Sequence, residues 1–265
     1  MNTSSRTRRL PVLWVLLLVS CSARAPVLIA HRGNSSVAPE NTLVAVRSAL
    51  ALPAPPELCE IDVRQSSDGE LVVIHDDTLV RTAGVDGRVA ELPLAEMRRH
   101  PVGFAERFGE RFADEPLPVL EEVLDLLGPT DTDLMIEIKV RGVGARIALL
   151  LAARGELQRH LVASFDPGVV VDASMAVPAV RTLLLRGESD PEELELARRV
   201  GADVVGVSAR SLSSEAVQLA HDLGLEVWVY TVNDPARAAE LLDWGIDGLI
   251  SDRPEAMRAL APLAP

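Results

Sequence analysis

Apolar residues fall into two alternating rhythms along most of this chain: short unbroken runs, and longer stretches in which they return every three or four positions. Residues 27–30 form such a run, as in a strand buried on both faces. It ends at His31-Arg32-Gly33, polar groups placed at the mouth of a cleft, and the chain then turns into a helix at Pro39-Glu40-Asn41-Thr42. Leu43, Val44, Val46, Ala49 and Leu50 recur at helical spacing, and Pro53, Pro55 and Pro56 stop that helix. Residues 58–63 read as a second strand. Glu60 and Asp62 lie two apart on it, so both side chains leave the same face.

The dipeptide Asp68-Gly69 is a hairpin signal with a two-residue loop. That register pairs Ser67 with Glu70, Ser66 with Leu71 and, continuing downward, Asp62 with His75. From Thr78 to Pro118 the periodicity is poor and predicts an excursion over one face with one or two short helices. A helix follows over residues 121–127, with Glu121 and Glu122 in its first turn where the helix dipole favours them. Strands are then predicted at 134–139, 161–164, 180–185, 204–207, 227–231 and 248–251. Amphipathic helices run between them, including 191–201, 214–223 and 235–245. With the first two strands this makes eight βα units, and the expected fold is a single-domain TIM (β/α)8 barrel whose site sits at the strands' C-terminal ends. A length of 265 residues and 48% hydrophobic content suit one large core of this kind.

The first 25 residues stand apart. Arg6, Arg8 and Arg9 precede an apolar stretch over 10–19 and then small residues, the layout of an export signal that is too short for a comfortable membrane span. Two endings compete. Leu18-Val19-Ser20-Cys21 resembles a bacterial lipobox, in which Cys21 is lipidated, whereas Ala23-Arg24-Ala25 resembles an ordinary cleavage site. Both readings place the protein outside the cytoplasm, as a membrane-anchored lipoprotein or as a periplasmic or secreted protein. Residues 26–265 form the expected catalytic domain. A lipid on Cys21 leaves a handful of linker residues before Val27, each spanning roughly 3.5 Å at most. Cys59 reads as a small buried apolar residue.

A formal charge of −13 argues against nucleic acid, which needs a basic face, and 3% aromatic content argues against stacking platforms for single strands. An anionic substrate therefore needs a local positive spot. Arginine supplies all but one of the 26 basic residues, the exception being Lys139. It stands two positions after Glu137, on the same face of its strand. In a barrel, His31-Arg32, Glu60 with Asp62, Glu137 with Lys139, and Asn233 would converge at strand ends. Three carboxylates in one place repel unless a cation holds them, and an all-oxygen set suits Ca²⁺ or Mg²⁺. Arg32 and Lys139 offer positive charge to an anion beside it, and His31 and His75 form an acid and base pair suited to neutral pH. The chemistry implied is metal-assisted hydrolysis of a phosphate ester. His100 reads as a surface or packing residue, and His160 and His221 as surface or helix residues.

An ordered set of motifs adds to this. His31-Arg32-Gly33 with Pro39-Glu40-Asn41-Thr42, Glu60-x-Asp62-Val63, Asp68-Gly69, His75-Asp76, Leu120-Glu121-Glu122-Val123-Leu124, Glu137-Ile138-Lys139, Ser164-Phe165-Asp166 and the ending from Gly245 to Pro254 resemble the glycerophosphodiester phosphodiesterase family. The resemblance implies a TIM barrel that hydrolyses glycerophosphodiesters to an alcohol and sn-glycerol 3-phosphate with a divalent cation. It implies metal ligands at Glu60, Asp62 and Glu137, acid and base at His31 and His75, phosphate contacts from Arg32 and Lys139, and support from Glu40, Asn41, Tyr230 and Asn233. Where the family often carries Trp-Thr-Val-Asn, this chain has Tyr230-Thr231-Val232-Asn233, with Trp228 two residues earlier on the same face, so a different pocket wall is expected. Ser164 and Phe165 are candidates for substrate contact or for packing. Two other readings stay open: lysophospholipase D-type hydrolysis of lysophospholipids, and binding of a phosphorylated ligand without turnover.

Overall fold

A computed structural model describes residues 25–260 and 263. The expected export signal, but for Ala25, and Cys21 lie outside the described residues. Among the described residues, no helix is long and apolar enough to cross a membrane.

Among the described residues nine strands form one sheet: β1 (Val27–Ala30), β2 (Leu58–Gln65), β3 (Leu71–Val73), β4 (Asp133–Ile138), β5 (His160–Ser164), β6 (Arg181–Arg186), β7 (Val204–Ser208), β8 (Glu226–Tyr230) and β9 (Gly248–Ser251). All but β3 pair in parallel, in the order β1-β9-β8-β7-β6-β5-β4-β2, and a β1–β2 pairing closes the ring. This is the expected eight-stranded TIM barrel, with β3 added as an antiparallel ribbon on β2. Most barrel strands are followed by a substantial helix: α1 (Leu43–Leu50) after β1, α5 (Leu120–Leu127) after the excursion that follows β3, then α6 (Gly144–Arg154), α7 (Pro167–Ala176), α8 (Pro191–Arg199), α9 (Ser214–Asp222) and α10 (Pro235–Asp243). The short α11 (Pro254–Arg258) ends the series.

Several helices start on the same local chemistry. Asp166, Asp190 and Asp234 each accept a hydrogen bond from a first-turn N–H while proline occupies the opening helical position. Thr42 caps α1 in the same way, accepting from Ala45 N at 3.2 Å, so Pro39–Asn41 is turn rather than helix.

The parallel strands send alternate side chains to two cores. Inside the barrel lie Ile29, Met135, Leu161, Leu183, Val204, Trp228 and Ile250; the opposite faces pack Leu28, Ile61, Ile136, Val205 and Leu249 against the helices. Gly248 leaves room for Trp228, because a Cβ there would lie 2.7 Å from the indole. Trp228 thus fills the barrel's lower interior, and Tyr230 is the residue of this pair that lines the mouth.

The hairpin register differs from the expected one by a residue. Gln65 faces Leu71 and Val63 faces Val73, so Asp62 lies across from Ile74, whose N–H it accepts at 2.9 Å, and not from His75. The cause is a three-residue loop, Ser67-Asp68-Gly69, in which Gly69 takes φ +89°, closed by Ser66 N–H donating to Glu70 O at 3.0 Å. The excursion is richer than expected too. It contains α2 (Val80–Ala83), α3 (Leu94–Met97) and α4 (Ala105–Phe108) with two 3₁₀ turns, around a small core of Val72, Ile74, Leu79, Val89, Met97 and Leu117.

Candidate active site

Parallel strands all end on one rim, so residues distant in sequence meet there. His31 follows β1, Glu60 and Asp62 lie on β2, His75 follows β3, Glu137 is on β4 with Lys139 just beyond, and Asp252 follows β9. A cavity of about 200 Å³ opens among His31, Arg32, Glu60, His75, Glu137 and Lys139 on its polar side. Met135, Phe165, Leu185, Tyr230 and Ile250 form its apolar side. Every residue expected to touch metal, phosphate or a proton lines this cavity except Asp62, which is fully buried beneath it.

Glu60, Asp62 and Glu137 can each present a carboxylate oxygen within 4.8 Å of the others. Burial first, and then the charges of Asp62 and Glu137, push the Glu60 carboxyl up to about 8. Glu60 Oε1 is buried with no hydrogen-bond partner. Asp62 goes the other way: despite burial, Arg32 and Lys139 hold its carboxyl well below the usual range. Lys139 Nζ lies 2.9 Å from Asp62 Oδ1 and also pairs with Glu137. A crowded, dry, all-oxygen trio with one orphaned oxygen is the donor set a hard divalent cation takes, so these residues fit such an ion.

Arg32 has a left-handed backbone (φ 55°), which turns its N–H onto Glu60 Oε2 at 2.8 Å. Its guanidinium reaches Glu40 Oε1 at 2.7 Å and Asp62 Oδ2 at 3.1 Å. Asn41, also left-handed (φ 60°), clasps Asp62 twice, donating from Nδ2 to Oδ2 at 2.7 Å and accepting the Asp62 N–H on Oδ1 at 3.0 Å. Glu40 and Asn41 therefore lie beneath the cavity, bonded to Arg32 and Asp62.

Each rim histidine has Nδ1 tied to an aspartate. His31 Nδ1 lies 2.7 Å from Asp252 Oδ1, and His75 Nδ1 lies 2.8 Å from Asp76 Oδ1. In both rings Nε2 is then the nitrogen left for chemistry. Burial works to lower His31, but the Asp252 bond and the Glu60 charge win and raise it. At His75, burial prevails over the attraction of Asp62, and its value falls. Asn233 acts one step back: it donates to Asp252 Oδ2 at 2.6 Å and accepts the Asp252 N–H at 2.9 Å. Ser35 Oγ donates to Asp252 Oδ1 at 3.0 Å.

Asp252, Asp76, Arg81 and Ser35 had no role in the sequence reading. Asp252 was within reach, being the polar residue just past the last strand, in the position that His31 holds after the first. Arg81 was not, because it sits on a four-residue helix with no periodic signal. Elsewhere, Tyr230 donates its hydroxyl to Arg186 O at 2.9 Å and meets Phe165 edge-on at 5.9 Å. Ser164 is buried and donates to Ile138 O at 2.8 Å, a packing role, whereas Phe165 faces the cavity. Cys59 is buried, with its thiol pushed up to about 12 by burial. His221 lies on α9 against Asp247. His160 is buried at the start of β5, away from the rim, and accepts the Leu134 N–H at 3.0 Å, so the expected surface or helix position does not hold for it.

The sequence model of the glycerophosphoryl diester phosphodiesterase family matches residues 31–256, a span that begins at His31 and runs past Asp252. The chain belongs to that family. A glycerophosphodiester phosphodiesterase of Caldanaerobacter subterraneus subsp. tengcongensis is 31% identical over 236 residues, covering 87% of this chain and 96% of that one. One from Bacillus subtilis is 28% identical over 247 residues, covering 86% and 83%. Among solved structures, a phosphodiesterase of Oleispira antarctica, in complex with the product sn-glycerol-3-phosphate, superimposes with a TM-score of 0.79 at 27% identity over 89% of this chain and 96% of that one. For this family member, the likeness spans the barrel and its rim together.

Proposed function

We propose that this protein hydrolyses glycerophosphodiesters to an alcohol and sn-glycerol 3-phosphate. The observation that carries the reading is one cavity in which two aspartate-tethered histidines and two cationic side chains surround three clustered carboxylates. Family membership supports it, as do relatives named for this activity. Glu60, Asp62 and Glu137 would hold a divalent cation, Ca²⁺ or Mg²⁺, which when bound supplies Lewis-acid stabilisation of charge on the phosphate oxygens. Arg32 and Lys139 orient the phosphate by charge-assisted hydrogen bonds. The opposite displacements of the two histidines divide their work. His75, which burial makes easier to keep neutral, takes a proton on Nε2 from the attacking hydroxyl, whether of water or of the substrate's own glycerol. His31, whose protonated form Asp252 and Glu60 favour, gives its Nε2 proton to the departing alcohol.

The direction of β1 favours a soluble diester over a lysophospholipid. The chain enters the barrel beside Ala25, Val27, Trp228 and Asp247, at the end opposite the cavity. If Cys21 is the lipidated residue, the linker to Val27 extends roughly 20 Å at most, so the rim faces away from the bilayer that holds the anchor. From the layout of the first 25 residues we propose that the protein acts outside the cytoplasm, anchored through Cys21 or released after Ala25; the mass of its N-terminal peptide distinguishes the two.

The test is release of choline by the purified mature protein from glycerophosphocholine and, in parallel, from lysophosphatidylcholine, with glycerol 3-phosphate as the second product of the former and lysophosphatidic acid of the latter. The expected result is turnover of the former that a chelator abolishes and that His31→Ala and His75→Ala each reduce by at least about a hundredfold. Undiminished turnover in either variant overturns the reading.

A further inference from the structure

The excursion after β3 lies outside the barrel, and on periodicity alone it is a decoration. One of its side chains contradicts that. Arg81, on α2, makes two forks with a single guanidinium. Toward Glu40 it donates from Nη1 to Oε2 at 2.7 Å and from Nη2 to Oε1 at 2.8 Å. Toward Asp76 it donates from Nε to Oδ2 at 2.7 Å and from Nη2 to Oδ1 at 3.0 Å. The ring of Phe104, further along the excursion, lies 5.3 Å from the guanidinium carbon.

Each carboxylate in those forks has a second duty at the cavity. Glu40 Oε1 also accepts from Arg32 Nη1, and Asp76 Oδ1 holds His75 Nδ1. The result is an unbroken hydrogen-bonded series, Arg32–Glu40–Arg81–Asp76–His75, that joins the end of β1 to the end of β3. Without Arg81, Glu40 would keep a single partner and Asp76 would be free to rotate, carrying His75 with it. A planar guanidinium fixes both carboxylate planes at once, which an ammonium at the same place cannot do.

We infer that Arg81 is a positioning residue for the reaction: by clamping Glu40 and Asp76 it sets the placement of the phosphate-binding Arg32 relative to the proton-transferring His75. The excursion is therefore part of the active site. The inference rests on the reading of His75 and Arg32 given above, and it reaches beyond that reading by assigning a residue that never touches substrate.

The test compares Arg81→Lys and Arg81→Ala with Asp76→Asn, Glu40→Gln and His75→Ala, all on glycerophosphocholine with saturating cation. Substitution of residues that orient a site's contacting groups costs about 10- to 100-fold, so Arg81→Lys is expected to lower kcat/KM by that amount, with both parameters moving. Asp76→Asn is expected to act mainly on kcat and Glu40→Gln mainly on KM. Adding guanidinium ion is expected to restore part of the activity of Arg81→Ala but none in His75→Ala. A readout independent of turnover is the ¹⁵N spectrum of the His75 ring, in which Arg81→Lys is expected to mix the single tautomer of the native protein. Should Arg81→Ala not fold, Phe104→Leu, which removes only the ring beside the guanidinium, is expected to give a milder loss of the same split. Native kcat and KM in Arg81→Lys with an unchanged His75 spectrum overturn the inference. So does a loss accounted for wholly by the unfolded fraction. If His75→Ala is as active as the native protein, the assignment of the reaction has failed instead.

Discussion

Replacing Asp252 with asparagine tests the rim where the structure is most explicit. The carboxylate accepts from Ser35 and Asn233 and lies 2.7 Å from His31 Nδ1, so it favours the protonated imidazole. A hydrogen bond to a charged group is worth about 1.5–3 kcal/mol. If that amount separates the protonated from the neutral ring, its loss lowers kcat by roughly 10- to 150-fold. The substitution keeps shape and two of three polar partners, so a thermal melt should show a folded protein. The sign of the pH effect follows from the balance at His31: burial lowers it, and Asp252 with Glu60 outweighs burial and raises it. Removing the Asp252 charge lets His31 lose its proton at lower pH, and the basic limb of kcat/KM moves to lower pH. The decisive assay varies the leaving group. Glycerophosphocholine expels an alkoxide that needs a proton, whereas a p-nitrophenyl glycerol phosphodiester expels a stable anion, so the loss should be several times smaller on the second substrate. Equal losses on both substrates, or an unmoved basic limb, would refute the assignment of His31 as the acid.

Two other substitutions separate stability from catalysis. Glu60 is buried among like charges with its carboxyl pushed up to about 8, so in metal-free protein its ionisation weakens the fold as pH rises from the ordinary carboxylate range through that value. Glu60→Gln is expected to raise the melting temperature of the metal-free protein at pH 8–9 and to abolish the stabilisation by added Ca²⁺ or Mg²⁺, about 2.7 kcal/mol at a hundred times Kd in the native protein; a lower metal-free melting temperature would contradict this. His160 is pushed down to about 4 by burial, so the unfolded chain takes up its proton first and the fold loses stability as pH falls from 6.5 toward 4. His160→Gln, which keeps an acceptor for the Leu134 N–H, is expected to remove one proton's share of that slope, about 1.4 kcal/mol per pH unit, in urea melts.

Much of the site was legible because a parallel barrel converts a local sequence fact into a spatial one. A residue at the C-terminal end of any strand points to one rim, so apolar runs ending in His31, Glu60, Asp62 and Glu137 suffice to assemble them. The hairpin was less legible. Asp68-Gly69 announces a turn, but the choice between a two- and a three-residue loop lies in the φ of Gly69 and in the Ser66 closure, and it shifts each pairing by a residue. His75 still reaches the cavity because it stands beyond the paired region, where Asp76 and Arg81 set its place. His160 was misread because a polar letter at a strand's beginning carries no mark of burial; its Leu134 partner sits across β4–β5 pairing. Arg81 was invisible for a deeper reason. Its role depends on the path of an aperiodic segment, and periodicity has nothing to report there.

The charge balance of the rim explains why an acidic protein can take a phosphate. Six carboxylates, Glu40, Glu60, Asp62, Asp76, Glu137 and Asp252, stand around the cavity or directly behind it, against Arg32, Arg81, Lys139 and the two histidines. Four of the six are bound to a cationic or imidazole partner at normal hydrogen-bond distance: Glu40 to both arginines, Asp62 to Arg32 and Lys139, Asp76 to Arg81 and His75, and Asp252 to His31. Glu137 shares Lys139 with Asp62. Only Glu60 lacks a close side-chain cation, since His31 Nε2 stays 3.9 Å from it, and Glu60 is also the carboxyl that burial pushes up. The carboxyl without a cationic partner thus lies at one oxygen-rich corner rather than across the mouth. A divalent cation fits that corner, and its charge, when bound, would release Lys139 and Arg32 from part of their task of neutralising acids. The same two side chains are the ones facing the cavity, so the affinity of this site for an anion is tied to the occupation of its carboxylates.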